Sequence, residues 1–191
     1  MQSGIAPGRR ICVVGTSGSG KTYVAQALAK RLSSITYISN DAIIRRPNWV
    51  PTPDDARLAA SDAATRLSAW TFDGNLSLCR AEDRLVLDRC DTVVWLDLPR
   101  WQVWSQVIWR TLRRYVTREE LWHGNRESLR ITFSRNSIAW WSVKTFSKRR
   151  REYTQLFADP AQATKMRIRL SSRGETNRWL QSPGRGLSLR A

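Results

Sequence analysis

One histidine, two methionines and three cysteines in 191 residues leave little material for soft metal ligation or a disulfide framework. Cys12, Cys79 and Cys90 lie in or beside apolar runs without metal-ligand spacing, and are expected to be reduced core thiols of a cytoplasmic protein. The lone histidine, His123, stands in a polar stretch and reads as a surface residue rather than a ligand. No run is apolar for long enough to cross a bilayer, residues 1–8 lack the apolar core of a signal peptide, and no internal repeat is visible. Acidic residues are also scarce, 16 against 32 basic ones, so the formal net charge is +16, carried mostly by arginine. A field of that sign favours polyanions, whether nucleotides, nucleic acid or an anionic surface, and ten tryptophans accompany it.

What the chain does have is Gly15-Thr-Ser-Gly-Ser-Gly-Lys21-Thr22, the G-x-x-x-x-G-K-[ST] pattern of a nucleoside-triphosphate P-loop. Residues 11–14 before it form a short apolar run that reads as a buried strand. Val24, Leu28 and Leu32 after it mark one face of a helix. In that context Gly15, Gly18 and Gly20 let the backbone approach a phosphate, so that amides converge on an anion at a helix N-terminus. Ser17, Ser19 and Tyr23 belong to the same predicted nucleotide-binding stretch, Lys21 is the point charge for the β- and γ-phosphates, and Thr22 is a ligand for Mg²⁺.

Along the chain, residues 35–39, 70–72, 92–96 and 166–170 read as further strands. Helices are expected from Pro53, capped by Thr52, to about Ala69, and over 77–85, 99–115, 137–157 and 175–180. Thr117 and Glu120 have capping-box spacing for another short helix, followed by an exposed loop. On the helix after Pro99, Trp101, Trp104, Val107, Ile108 and Leu112 are read as the core-facing side, and Trp140 and Trp141 likewise as core. Two acidic residues fall at strand ends, where ligands sit in open α/β folds. Asp41 is placed at the ligand side, or is a cap or turn residue. Asp73 is read as a water-mediated partner of Mg²⁺ or as the aspartate of an Asp-Gly turn.

Four segments now resemble one family: Pro47-Asn-Trp49, Phe72-Asp-Gly-Asn75, the run from Cys90 to Arg100, and the run from Thr117 to Ser128. The chain resembles, over about residues 9–181, the bacterial adenylate-kinase-like P-loop proteins. Several of these are labelled DNA topology modulation proteins, and the last segment is similar to their actinobacterial branch. The resemblance implies an α/β fold of nucleoside-monophosphate-kinase type: a five-stranded parallel sheet of order 2-3-1-4-5, sandwiched by helices, with an Arg-rich helical lid after strand four. It implies a single domain over 1–181, with the lid at about 116–136, and a mobile tail over 182–191. Asn75 and Leu76 replace the Phe-Pro of true adenylate kinases, and no arginine follows until Arg80. Gln106 stands where the family often has arginine, so Arg110 inherits the role of packing the adenine and holding phosphate. Arg173 is the further nucleotide contact implied near the last strand. Asp41 is similar in position to the aspartate by which shikimate- and gluconate-type kinases orient an acceptor hydroxyl.

The expected function is transfer of the γ-phosphoryl group of Mg-ATP to a small-molecule acceptor, a nucleotide or a hydroxylated metabolite. Lys21, Asp41, Arg110, Arg114 and Arg126 are its expected catalytic groups, with Arg118 and Arg130 as further lid arginines. The alternative is a regulatory or nucleic-acid-associated P-loop ATPase, which the arginine content allows but their concentration around the lid disfavours. A structural protein with a vestigial site is a third reading. No membrane partner is expected, and the chain is a monomer or a homodimer.

Overall fold

The computed structural model describes residues 7–32, 35–77, 79–117, 120–124 and 138–181. Five parallel strands, β1 (Arg10–Gly15), β2 (Thr36–Ser39), β3 (Trp70–Asp73), β4 (Thr92–Leu96) and β5 (Met166–Leu170), lie in the order β2-β3-β1-β4-β5. The expected sheet order is thus the observed one.

The central strands are apolar at nearly every position because both faces of the sheet are covered. Ile11 and Val13 point to one side, where they meet Val94, Leu96 and Leu170. That side is closed by Val24, Ala25 and Leu28 of α1 (Lys21–Arg31) and by Trp179 and Leu180 of α7 (Arg173–Gln181). Cys12 and Val14 point the other way, to a cluster with Trp70, Phe72, Val93 and Trp95. Val86 and Leu87 of α4 (Ala81–Arg89), with Tyr153 and Leu156 of α6 (Ile138–Ala158), cover them. Full burial of each such aliphatic side chain contributes roughly 1.5–3 kcal/mol. Asp91 pins the start of β1, its Oδ2 accepting from the amides of Arg9 and Arg10 at 3.2 and 3.0 Å.

Helix boundaries differ from the sequence reading for local reasons. The helix α3 (Asp54–Thr65) begins one residue after Pro53, which occupies the N-cap; the Thr52 amide instead bonds to the Ile44 carbonyl at 3.1 Å. It stops at Thr65, where Arg89 donates to the Asp62 carbonyl and the Thr65 hydroxyl at 2.9 and 2.8 Å, tying α3 to α4. Ser77, Cys79 and Arg80 stand outside the helix, which starts only at Ala81: Asp83 accepts from the Ser77 amide at 2.8 Å and from Arg80 Nε at 2.7 Å. The last helix starts earlier than expected because Ser172 and Glu175 cap it reciprocally. Ser172 Oγ accepts from the Glu175 amide at 3.1 Å, and Glu175 Oε2 from the Ser171 amide at 2.7 Å.

Two corrections concern the long helix α5 (Arg100–Thr117). Its buried residues are Val103 and Val107, with Trp104 partly covered, whereas Trp101, Ile108 and Leu112 are exposed. Trp101, Trp109 and Val116, at 68, 72 and 78% exposure, line the same outer face. Thr117 does not open a new helix; it ends this one, its hydroxyl bonded back to the Arg113 carbonyl at 2.9 Å. A short 3₁₀ turn follows at Trp122–Gly124 in place of the expected loop. Most of the predicted lid, with Arg118, Arg126 and Arg130, and the predicted tail lie outside the described residues, as do the side chains of Trp140 and Trp141. Cys12 and Cys90 are buried as expected, but Cys79 is exposed. Burial pushes the Cys12 thiol well above its ordinary value. No helix among the described residues is long and apolar enough to cross a membrane.

Candidate active site

The site is built at the carboxyl edge of the sheet. The loop 15–20 leaves β1 and enters α1, whose N-cap, Gly20, is left-handed at φ 91° and carries no side-chain cap. The first amides of α1 are therefore available to an anion. Gly18, at φ 88°, lies so close to α5 that a Cβ would come within 2.4 Å of Val107 Cγ2 and 2.9 Å of the Val103 carbonyl. The Ser19 amide bonds to the Thr16 carbonyl at 3.1 Å, closing the turn, and Lys21 Nζ reaches the same carbonyl at 2.9 Å. Ser19 Oγ is buried without a hydrogen-bond partner.

Strand register brings the acidic residues here. Asp73 pairs in register with Val13 on β1 and with Ser39 on β2, so the ends of three strands stand side by side. The chain turns from Ser39 into α2 (Asn40–Ile44), whose first turn carries the exposed Asp41. Gly74 keeps this corner tight, because a Cβ there would fall 2.8 Å from Asn40 Cβ. His123 Nε2 lies 3.0 Å from the Ala42 carbonyl, which ties the Trp122–Gly124 turn to α2.

Electrostatics couple these groups. Desolvation lowers the Lys21 amine to about 8, opposed by Asp73 and then Asp41, and assisted by the positive fields of Arg110 and Arg149. Asp73 is raised, chiefly by desolvation, although the Thr22 hydroxyl and the Lys21 ammonium act the other way. Tyr37 on β2 is pushed up to about 12, first by burial and then by the charge of Asp73. The structure thus brings together Lys21, Thr22, Asp41, Asp73 and Arg110. Arg114 is half-buried one helical turn beyond Arg110 on α5. Tyr23 is 63% exposed on the outside of α1, and Arg173 is exposed at the start of α7.

Two residues at the site were missed in the sequence. Tyr37 looked like an ordinary strand aromatic. Arg149 was hidden inside the basic run 148–151, yet its charge is felt at Lys21. It is mostly buried, donates to Glu152 at 2.8 Å, and reaches the Leu76 carbonyl at 3.4 Å. Helical spacing was the available signal, since Arg149 shares a face of α6 with the buried Phe146, Tyr153 and Leu156.

The uncapped amides, the left-handed glycines, Lys21 and the orphaned Ser19 hydroxyl fit a triphosphate. Thr22 beside Asp73 fits a magnesium ion held mainly by phosphate oxygens and water. The described residues contain no group of three or more His, Cys, Asp or Glu able to hold a metal alone, which a phosphate-bound ion does not need.

Strand order and P-loop define a P-loop α/β domain of nucleoside-monophosphate-kinase type. Among solved structures, the chain superposes on shikimate kinase from Acinetobacter baumannii in complex with shikimate, with a TM-score of 0.55 and 17% identity over 92% of this chain and 89% of that one. It also superposes on shikimate kinase from Bacteroides thetaiotaomicron, with a TM-score of 0.52 and 15% identity over 90% of this chain and 94% of the other. At such identity the likeness is one of fold. No family model and no curated protein matches the chain, so the resemblance to the DNA topology modulation-like proteins and to their actinobacterial branch gains no support from either.

Proposed function

We propose that the protein is an ATP-dependent kinase that transfers a phosphoryl group to a hydroxyl of a small-molecule acceptor. The observation that carries this reading is the P-loop, with Lys21 at the uncapped start of α1, standing beside the ends of β3 and β2 from which Asp73 and Asp41 emerge. A triphosphate on the loop amides would meet Lys21 at its far end. Asp41, exposed in the first turn of α2 just beyond β2, would accept the proton of an incoming hydroxyl. Arg110 and Arg149 add positive charge where negative charge develops on the transferring group. Magnesium, when bound with the nucleotide, would neutralise phosphate charge beside Thr22 and Asp73. The fold it shares with shikimate kinases accommodates a hydroxylated acceptor, one of them having been solved with shikimate bound. The absence of the Phe-Pro segment after Asp73-Gly74 supports such an acceptor over a nucleotide one.

The test is a thermal-shift and phosphate-transfer screen with Mg-ATP against hydroxylated metabolites, sugars and nucleoside monophosphates. Transfer to a hydroxyl compound is the expected result; transfer only to a nucleoside monophosphate would replace it with the adenylate-kinase-like reading. The net charge of +16 favours one second reading, a nucleic-acid-associated ATPase. That reading requires nucleic-acid binding that falls steeply with salt and alters ATP hydrolysis.

A further inference from the structure

A second cationic feature lies on the α6 side of the sheet, and none of its residues belongs to the P-loop corner. A groove of about 670 Å³ is lined by Arg100, Arg150, Arg151 and Arg169, with the hydroxyls of Ser147 and Thr154. Among the described residues, the carboxylate paired with its arginines is that of Asp97. Asp97, buried just beyond β4, accepts on Oδ2 from Arg150 Nη2 at 3.2 Å and from Arg169 Nε at 3.0 Å, while Arg150 Nε lies 3.0 Å from Oδ1 as an ion pair. Both its oxygens are engaged, so Asp97 orients guanidinium groups rather than repelling an anion. Arg100 and Arg151 have no carboxylate partner among the described residues. The set is therefore four cations against one anion.

Two of these arginines are also held in place by stacking. The Arg169 guanidinium stacks on the Trp95 ring at 4.7 Å from its centroid. That of Arg100 stacks on Phe146 at 5.1 Å and donates to Ser147 Oγ. Stacked, pre-oriented guanidinium groups present their remaining N–H donors to the groove with little rotamer entropy left to lose. Like charges gathered in a concavity repel one another, and an anion with several charges relieves that repulsion.

We propose that this groove binds the phosphate chain of a small molecule. The volume falls within the roughly 300–1,000 Å³ of small-molecule sites, above what a single phosphate fills. The rings of Trp95 and Phe146 already carry arginines. Among the described residues no aromatic face of the groove is then offered to a nucleobase, and recognition is of the phosphates themselves. The site is independent of the kinase reading and survives its failure.

The experiment is calorimetric titration of the full chain with tripolyphosphate, and separately with ATP, both without metal. Two sites per chain are expected, with the second binding tripolyphosphate as well as ATP. Lys21→Ala should remove only the P-loop site. Arg100→Ala with Arg151→Ala should weaken only the groove site, by at least tenfold. Thr154→Asp, which puts a carboxylate into the groove at an exposed position, should do the same in a chain that keeps its fold. Arg84→Ala, an exposed arginine on α4 away from both sites, should change neither. A single site abolished by Lys21→Ala would overturn the proposal, as would equal losses with Arg84→Ala. A second site that takes ATP but not tripolyphosphate would overturn it too.

Discussion

Gly18 and Val107 touch where no side chain fits between them: a Cβ on the glycine would come within 2.4 Å of the valine methyl. Through this contact the P-loop rests on the helix that carries Arg110. Gly20 has similar backbone geometry, at φ 91°, but the nearest atom to its Cβ position is Gln106 Oε1 at 4.0 Å. Gly20→Ala should therefore cost only the left-handed strain, about 1–2 kcal/mol. Gly18→Ala should add overpacking of a further ~1–3 kcal/mol. Chemical denaturation of the two variants checks this, and equal losses would mean that α5 gives way freely.

The Lys21 amine, lowered to about 8, sets a pH dependence. Below that value both folded and unfolded chains hold the proton, and the cost of burying the cation is present in full. Between about 8 and the ordinary 10.5 the folded chain releases the proton first, so this residue's contribution to stability rises with pH. A bound triphosphate favours the charged amine. Nucleotide binding near pH 8.5 should then take up a proton, visible as a heat that varies with buffer ionisation enthalpy. Lys21→Met should remove both effects.

Asp41 and Asp73 both act on the charge of Lys21, and the proposed function gives them different work. Asp41→Asn should leave Mg-ATP affinity within about twofold and lower transfer by at least ~100-fold, the range of a lost general base. Asp73→Asn should instead weaken magnesium by about 10–100-fold, as for a residue that orients a metal's ligands. Metal titration monitored by nucleotide binding, beside single-turnover transfer, separates the two roles.

Arg149 offers a test of how much the site depends on α6. Arg149→Lys keeps the charge but cannot serve Glu152 and the Leu76 carbonyl together. Transfer should fall about tenfold with little change in melting temperature. Arg149→Ala should also destabilise the fold by ~1–3 kcal/mol, because Glu152 loses its buried partner. Unchanged transfer in the lysine variant would remove Arg149 from the site.

The sheet was legible in the sequence because its strands are short apolar runs between loop signals, and the P-loop because its glycines are a local necessity. Asp41 and Asp73 could be placed at strand ends by the same logic. Less was visible where tertiary contact overrides pattern. The apolar residues of α5 suggested that Trp101, Ile108 and Leu112 face the core, yet the chain spends its inward face on Val103 and Val107. Only small side chains there allow the close approach to Gly18. Helix starts failed where a side chain from further along, such as Asp83 at Ser77, holds the backbone in a turn. Arg149 was hidden among its neighbours because a basic run carries no sign of which arginine turns inward.

Of the three thiols, only that of Cys79 meets solvent. A maleimide dye offered to the native protein should attach there alone, beside the turn that Asp83 ties down and a few residues past Asp73. The chain thus comes with a single labelling handle on the segment that leads away from Asp73, from which fluorescence can be tested as a reporter of binding at the proposed site.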